Sequence, residues 1–76
     1  MMRKVFNWTF RKVVDFLKGH GFTLRYTEGS HFFFVKKEGI SSFQVCVPFH
    51  GGNVIKPRTM KGIILQSRIS KKEWLQ

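Results

Sequence analysis

Acid is the scarcest chemistry in this chain, with four Asp and Glu against fourteen Lys and Arg in 76 residues. The four carboxylates, Asp15, Glu28, Glu38 and Glu73, are dispersed, and no pair of His, Cys, Asp or Glu has a recognisable metal-ligand spacing. That pattern argues against a two-metal nuclease and implies no cofactor. A single cysteine makes no intramolecular disulfide, so a reducing cytoplasm is the default compartment. Cys46 lies in the alternating run Phe43-Gln44-Val45-Cys46-Val47 and reads as a packed strand residue rather than a nucleophile or ligand. No apolar run reaches bilayer-spanning length, and Met1 to Phe6 lacks the apolar stretch of a secretion signal. Repeats, linkers and low-complexity tracts are missing too. The expectation is one domain over residues 1–76, with its core from about residue 9 onward.

What the chain does have is positive charge and aromatic bulk. A formal net charge of +10 and a pI of about 10.6 exceed what solubility requires and imply a polyanionic partner. The basic residues run from Arg3 to Lys72, interleaved with strand-like apolar runs, and no long amphipathic basic helix is present. Nucleic acid fits that distribution better than a membrane surface. With 42% hydrophobic residues, nine Phe and two Trp, the chain can bury enough area to offset its conformational entropy, so it should fold.

Phe10, Val13, Val14 and Leu17 recur at helical spacing, with Asn7 or Thr9 as cap and Gly19-His20-Gly21 as stop. Phe22, Leu24 and Tyr26 then alternate with polar residues, which predicts a strand with one buried face. After the turn Glu28-Gly29-Ser30, His31 to Lys37 forms a second strand, and beyond Glu38-Gly39-Ile40-Ser41 a third runs from Ser42 to Val47. Following the loop Phe49-His50-Gly51-Gly52-Asn53, Pro57 or Thr59 opens a helix that places Met60, Ile63, Ile64 and Ser67 on one side. Ser70 to Glu73 has capping-box spacing and starts a short terminal helix. The predicted class is α+β, α-β-β-β-α(-α), a three-stranded antiparallel sheet with helices on one face, like a double-stranded-RNA-binding domain. The second strand, Phe32-Phe33-Phe34-Val35, is apolar on both faces, so its uncovered parity is a partner surface or a platform for base stacking.

Two residue groups could carry chemistry. In Glu28-Gly29-Ser30-His31, glycine permits a tight turn and sets His31 at the rigid start of a strand. An imidazole takes a proton near neutral pH without metal, as cleavage of RNA by its own 2′-hydroxyl requires. An ordinary strand histidine bonded to backbone fits the same spacing. His50 could assist as an acid or contact phosphate, or be merely solvated, whereas His20 suits the end of a helix. Ser30 lacks the strand-turn-helix elbow of a serine hydrolase. Lys56, Arg58 and Lys61 cluster about the start of the second predicted helix, where unpaired N–H groups favour an anion. Arg25, Lys36 and Lys37 add charge on the strands and should make binding salt dependent.

The succession Gly21-Phe22, Gly29-Ser30-His31, Val47-Pro48-Phe49-His50 and Thr59-Met60-Lys61-Gly62-Ile63-Ile64, ending in Ser70 to Trp74, resembles the HicA (YcfA-like) toxin family over roughly residues 10 to 76. The resemblance implies a double-stranded-RNA-binding-domain-like fold and a ribosome-independent mRNA endonuclease that inhibits translation and is held inactive by a HicB-type antitoxin. It implies that His31 is catalytic, while the role of His50, a position that recurs in the family, stays open. The chain departs from the family at three places: Arg58 stands where glycine commonly precedes the threonine, Phe32 replaces a frequently polar residue, and Arg3 to Trp8 extends the usual start. From sequence, the competing readings are a non-catalytic RNA-binding module of the same fold and a basic interaction protein that never meets RNA.

Overall fold

The structure, a computed structural model, describes residues 7–75, and Arg3 to Phe6 of the N-terminal extension lie outside the described residues. The elements follow in the order α1 (Phe10–Gly19), β1 (Thr23–Glu28), β2 (His31–Glu38), β3 (Ser41–Pro48), α2 (Pro57–Ser67) and α3 (Lys71–Trp74). The strands form one antiparallel sheet in the order β1-β2-β3. This is the expected α+β arrangement, and it is compatible with the double-stranded-RNA-binding-domain layout.

Thr9, rather than Asn7, caps α1: its hydroxyl accepts the Lys12 N–H at 3.3 Å. Val13, Val14 and Leu17 form its buried face, each contributing roughly 1.5–3 kcal/mol if fully removed from water. Past Gly19 the chain reverses through Gly21 at φ +93°, so that the Phe22 N–H reaches the Leu17 carbonyl at 3.0 Å. Pro57 opens α2, where it forfeits an N–H that would have no helical partner. Met60, Ile63, Ile64 and Ser67 are its buried side.

Ser67 is the buried polar residue of this core, at 2% exposure. Its hydroxyl donates to the Ile64 carbonyl at 2.7 Å and accepts from the Ile69 N–H at 3.1 Å and Trp74 Nε1–H at 3.3 Å. All its bonding capacity is used, and α2 is thereby stitched to α3. At the start of α3, Ser70 accepts the Glu73 N–H at 3.4 Å, which is half of the capping box read from the sequence. The Glu73 carboxylate turns instead to His20, 3.3 Å away, and ties α3 to the end of α1. Trp8, Phe16 and Trp74 fill the space between these helices, with ring centroids 4.0 to 5.5 Å apart.

Both hairpins turn on two residues, Gly29-Ser30 and Gly39-Ile40. Each has glycine at positive φ in the first position and an ordinary φ in the second, the pattern of a type II′ hairpin turn. The β2–β3 ladder runs unshifted from His31↔Pro48 to Glu38↔Ser41. Alternation therefore sends Phe32, Phe34 and Lys36 to one face and His31, Phe33, Val35 and Lys37 to the other. Phe34, Val45 and Val47 meet Val13, Leu17, Met60 and Ile63 in a single core.

β1 departs from the sequence reading. Phe22 is buried but precedes the strand, all six residues of β1 are exposed, and Leu24 retains 47% of its surface. The cause is twofold. Both helices pack against β3, leaving β1 an uncovered edge. A register shift between Leu24 and Tyr26 also pairs Leu24 with Phe34 but Tyr26 with Phe33, so the two side chains no longer share a face.

Phe34 and Phe33 test this division of the sheet. Phe34→Ala is expected to cost about 3–5 kcal/mol in urea unfolding, as for a large core aromatic, and Phe33→Ala, on the face without helices, clearly less. Equal losses would contradict the assigned faces.

Candidate functional site

His31 begins β2 directly after the Gly29-Ser30 turn. The Ser30 carbonyl accepts the Phe49 N–H at 2.7 Å. The Phe10 ring lies 4.9 Å from both Phe32 and Phe49, edge-on to each. These contacts fasten the segment after β3 beside the start of β2, and they give the unusual Phe32 a packing role. His31 and His50 consequently line one cleft of ≈ 460 Å³ with Pro48, Arg58, Thr59 and Gln66. An adjoining hollow of ≈ 430 Å³ shares Pro48, His50 and Thr59 and adds Lys56. Gln66 Oε1 accepts the Cys46 N–H at 3.1 Å, which satisfies an edge donor of β3 and holds α2 against the strand.

The three histidines differ in how they are held. His20 Nδ1 donates to the Phe16 carbonyl at 3.0 Å, Nε2 meets Glu73 Oε1 at 3.3 Å, and the ring packs 4.3 Å from Phe16. His20 is a helix-end residue, as its position suggested. His31 is exposed, and among the described residues neither of its ring nitrogens has a hydrogen-bond partner. Its nitrogens are free to meet a ligand, and the Glu28 backbone stands opposite it in the ladder.

The cations expected to bind phosphate do not form one cluster. Arg58 lines the His31 cleft and Lys56 the adjoining hollow, whereas Lys61 opens onto a separate groove with Ile64, Leu65, Arg68 and Lys71. Lys37 shares the His31 face but lies six residues along β2, about 20 Å away at strand rise. Lys36 is on the helix face, 3.6 Å from Glu38 and 6.0 Å from the Phe22 ring centroid. Arg25 sits within the irregularity of β1. Sequence reasoning missed Gln66, which no spacing singles out, while Thr59 stood in the resembling run without a role.

Among the described residues no three of His, Cys, Asp and Glu gather closely enough to hold a metal ion, and no helix is long and apolar enough to cross a membrane. Burial pushes the Cys46 thiol above its ordinary value, which lowers its thiolate fraction at neutral pH and agrees with a packing role.

Together, fold and cleft define a small, strongly basic α+β protein that presents an unengaged histidine beside an arginine, a class suited to a polyanionic ligand. The model of the family described as "HicA toxin of bacterial toxin-antitoxin" matches residues 10–69, and the chain belongs to that family. Membership implies an antitoxin partner. No curated protein and no solved structure matches the chain.

The state of Cys46 is open to measurement. Because its thiol is raised, iodoacetamide should modify the folded protein more slowly than the urea-unfolded chain at pH 8. Equal or faster labelling of the folded form would mean a reactive thiol.

Proposed function

We propose that this toxin is a metal-independent endoribonuclease that cuts mRNA in the cytoplasm, with His31 as its general base, and that a HicB-type antitoxin holds it inactive. The observation that carries the reading is the exposed, unengaged His31 ring opening onto a cleft it shares with His50 and Arg58. In the reaction, His31 takes the proton of a ribose 2′-hydroxyl. The oxygen attacks the adjacent phosphorus, the bond from phosphorus to the 5′-oxygen breaks, and a 2′,3′-cyclic phosphate forms. The departing 5′-oxygen gains a proton from water or from His50.

Charge supports the same reading. Arg58 stabilises the phosphorane charge at the cleft and Lys56 holds a neighbouring phosphate, and the Gly29-Ser30 turn directly before His31 sets the approach of the RNA backbone. Arg25, Lys37 and Lys61 contribute to the surrounding field. Lys36, beside Glu38 on the opposite sheet face, adds only net charge.

Purified protein is expected to cut RNA in excess chelator and to spare DNA of the same sequence, which has no 2′-hydroxyl. His31→Ala should lower the rate by about 10²–10⁴-fold, the usual worth of a general base, while leaving RNA affinity intact. Cleavage that needs added metal overturns the mechanism, and binding without cleavage leaves an RNA-binding module.

Salt dependence provides an independent test of the contacts. Affinity should fall linearly on a log–log plot against salt, and Arg58→Ala should reduce the slope by about 1. An unchanged slope removes Arg58 from the phosphate contacts.

A further inference from the structure

One backbone irregularity in the sheet has no structural role within the core. Strict alternation along β1 would put Tyr26 on the face of Leu24, toward the helices, and the register shift between these residues instead pairs Tyr26 with Phe33. Bulges re-aim single side chains in this way and recur beside active sites. Here the re-aimed ring joins the face that carries His31.

The product of that shift is a flat aromatic pair. Tyr26 and Phe33 stack with centroids 4.5 Å apart and planes 9° from parallel, whereas the other aromatic pairs are tilted or edge-on. Tyr26 keeps 43% of its surface in water. Phe33 is two residues from His31 on the same face of an unshifted strand, about 7 Å along it. A nucleotide spans that separation between its base and a flanking phosphate.

The surroundings distinguish the occupant. Thr23, Glu28, Gln44, Ser42 and Lys37 border the apolar part of this face, and charged and polar edges of this kind are depleted at the core of a protein interface. A planar base attached to a polyanion suits both the stacked rings and the net charge of +10.

We infer that the Tyr26–Phe33 stack is a base-stacking subsite, which holds an unpaired nucleobase next to the phosphodiester presented to His31. The substrate is therefore single-stranded RNA or a loop. A base inside a duplex is stacked on its neighbours and cannot reach the pair. This inference rests on the reading of the chain as an RNA-cleaving enzyme and adds the form of RNA it selects.

The test uses the full chain carrying His31→Ala, so that binding is read without turnover, with a single-stranded oligoribonucleotide and its duplex as probes. Adding Tyr26→Ala should weaken single-strand binding about 5–150-fold, the worth of one stacked base, and change duplex binding less than about twofold. Tyr26→Trp should restore the single-strand affinity, because its ring also stacks. Tyr26→Leu removes the ring but keeps an apolar contact with Phe33, and it replaces the alanine variant should that one unfold. Unchanged single-strand affinity overturns the inference, as does an equal loss for duplex. Cleavage by the wild type is scored separately. RNA cut by the wild type with affinity indifferent to Tyr26 sinks this inference alone, and RNA left intact while Tyr26→Ala loses single-strand affinity sinks the nuclease reading alone.

Discussion

The structure depends first on the register of β2 against β3. Eight paired positions, from His31↔Pro48 to Glu38↔Ser41, proceed without a shift. In a strand whose period is two, that ladder decides every side chain at once. Phe34 enters the core beside Val45 and Val47, and His31 is placed on the opposite face. A slip of one residue would bury the histidine and expose the phenylalanine. Since β2 is apolar on both faces, hydrophobicity alone discriminates weakly between the two registers. The two-residue turns Gly29-Ser30 and Gly39-Ile40, each with glycine at positive φ, supply the rest of the selection.

The helices are held by a different means. With a net charge of +10, the folded chain works against its own repulsion, and only His20–Glu73 and Lys36–Glu38 bring a basic side chain to an acidic one among the described residues. Exposed pairs of this kind contribute little. Cohesion comes from the apolar core and from two local fasteners: the fully satisfied Ser67 hydroxyl between α2 and α3, and the Trp8–Phe16–Trp74 cluster between α1 and α3. The surface is thereby left free to keep its cations for a ligand. Arg58 reaches the His31 cleft, while Lys61, one turn further along α2, opens onto another groove.

A second fastener at the other end of the molecule has functional weight. Phe10, Phe32 and Phe49 pack together, and the Ser30 carbonyl holds the Phe49 N–H. The loop that carries His50 is thus anchored on either side of the histidine turn. Phe32 adds a second ring edge-on to Phe10 beside the Phe10–Phe49 pair.

Much of this was legible in the chain itself. Helical spacing in Val13, Val14 and Leu17, glycines between apolar runs and Pro57 before Met60 are local signals, and local signals specify the elements and their order. The succession of short motifs from Gly21-Phe22 through Gly29-Ser30-His31 to Thr59–Ile64 likewise pointed to the family. Three matters lay beyond such signals. The shift that carries Tyr26 onto the His31 face, the separation of Lys61 from Arg58, and the meeting of Gln66 with Cys46 each depend on how distant segments pair and pack. Periodicity reports which side of an element is apolar. Only the tertiary fold decides what stands opposite that side, because it is set by contacts between residues far apart in the chain.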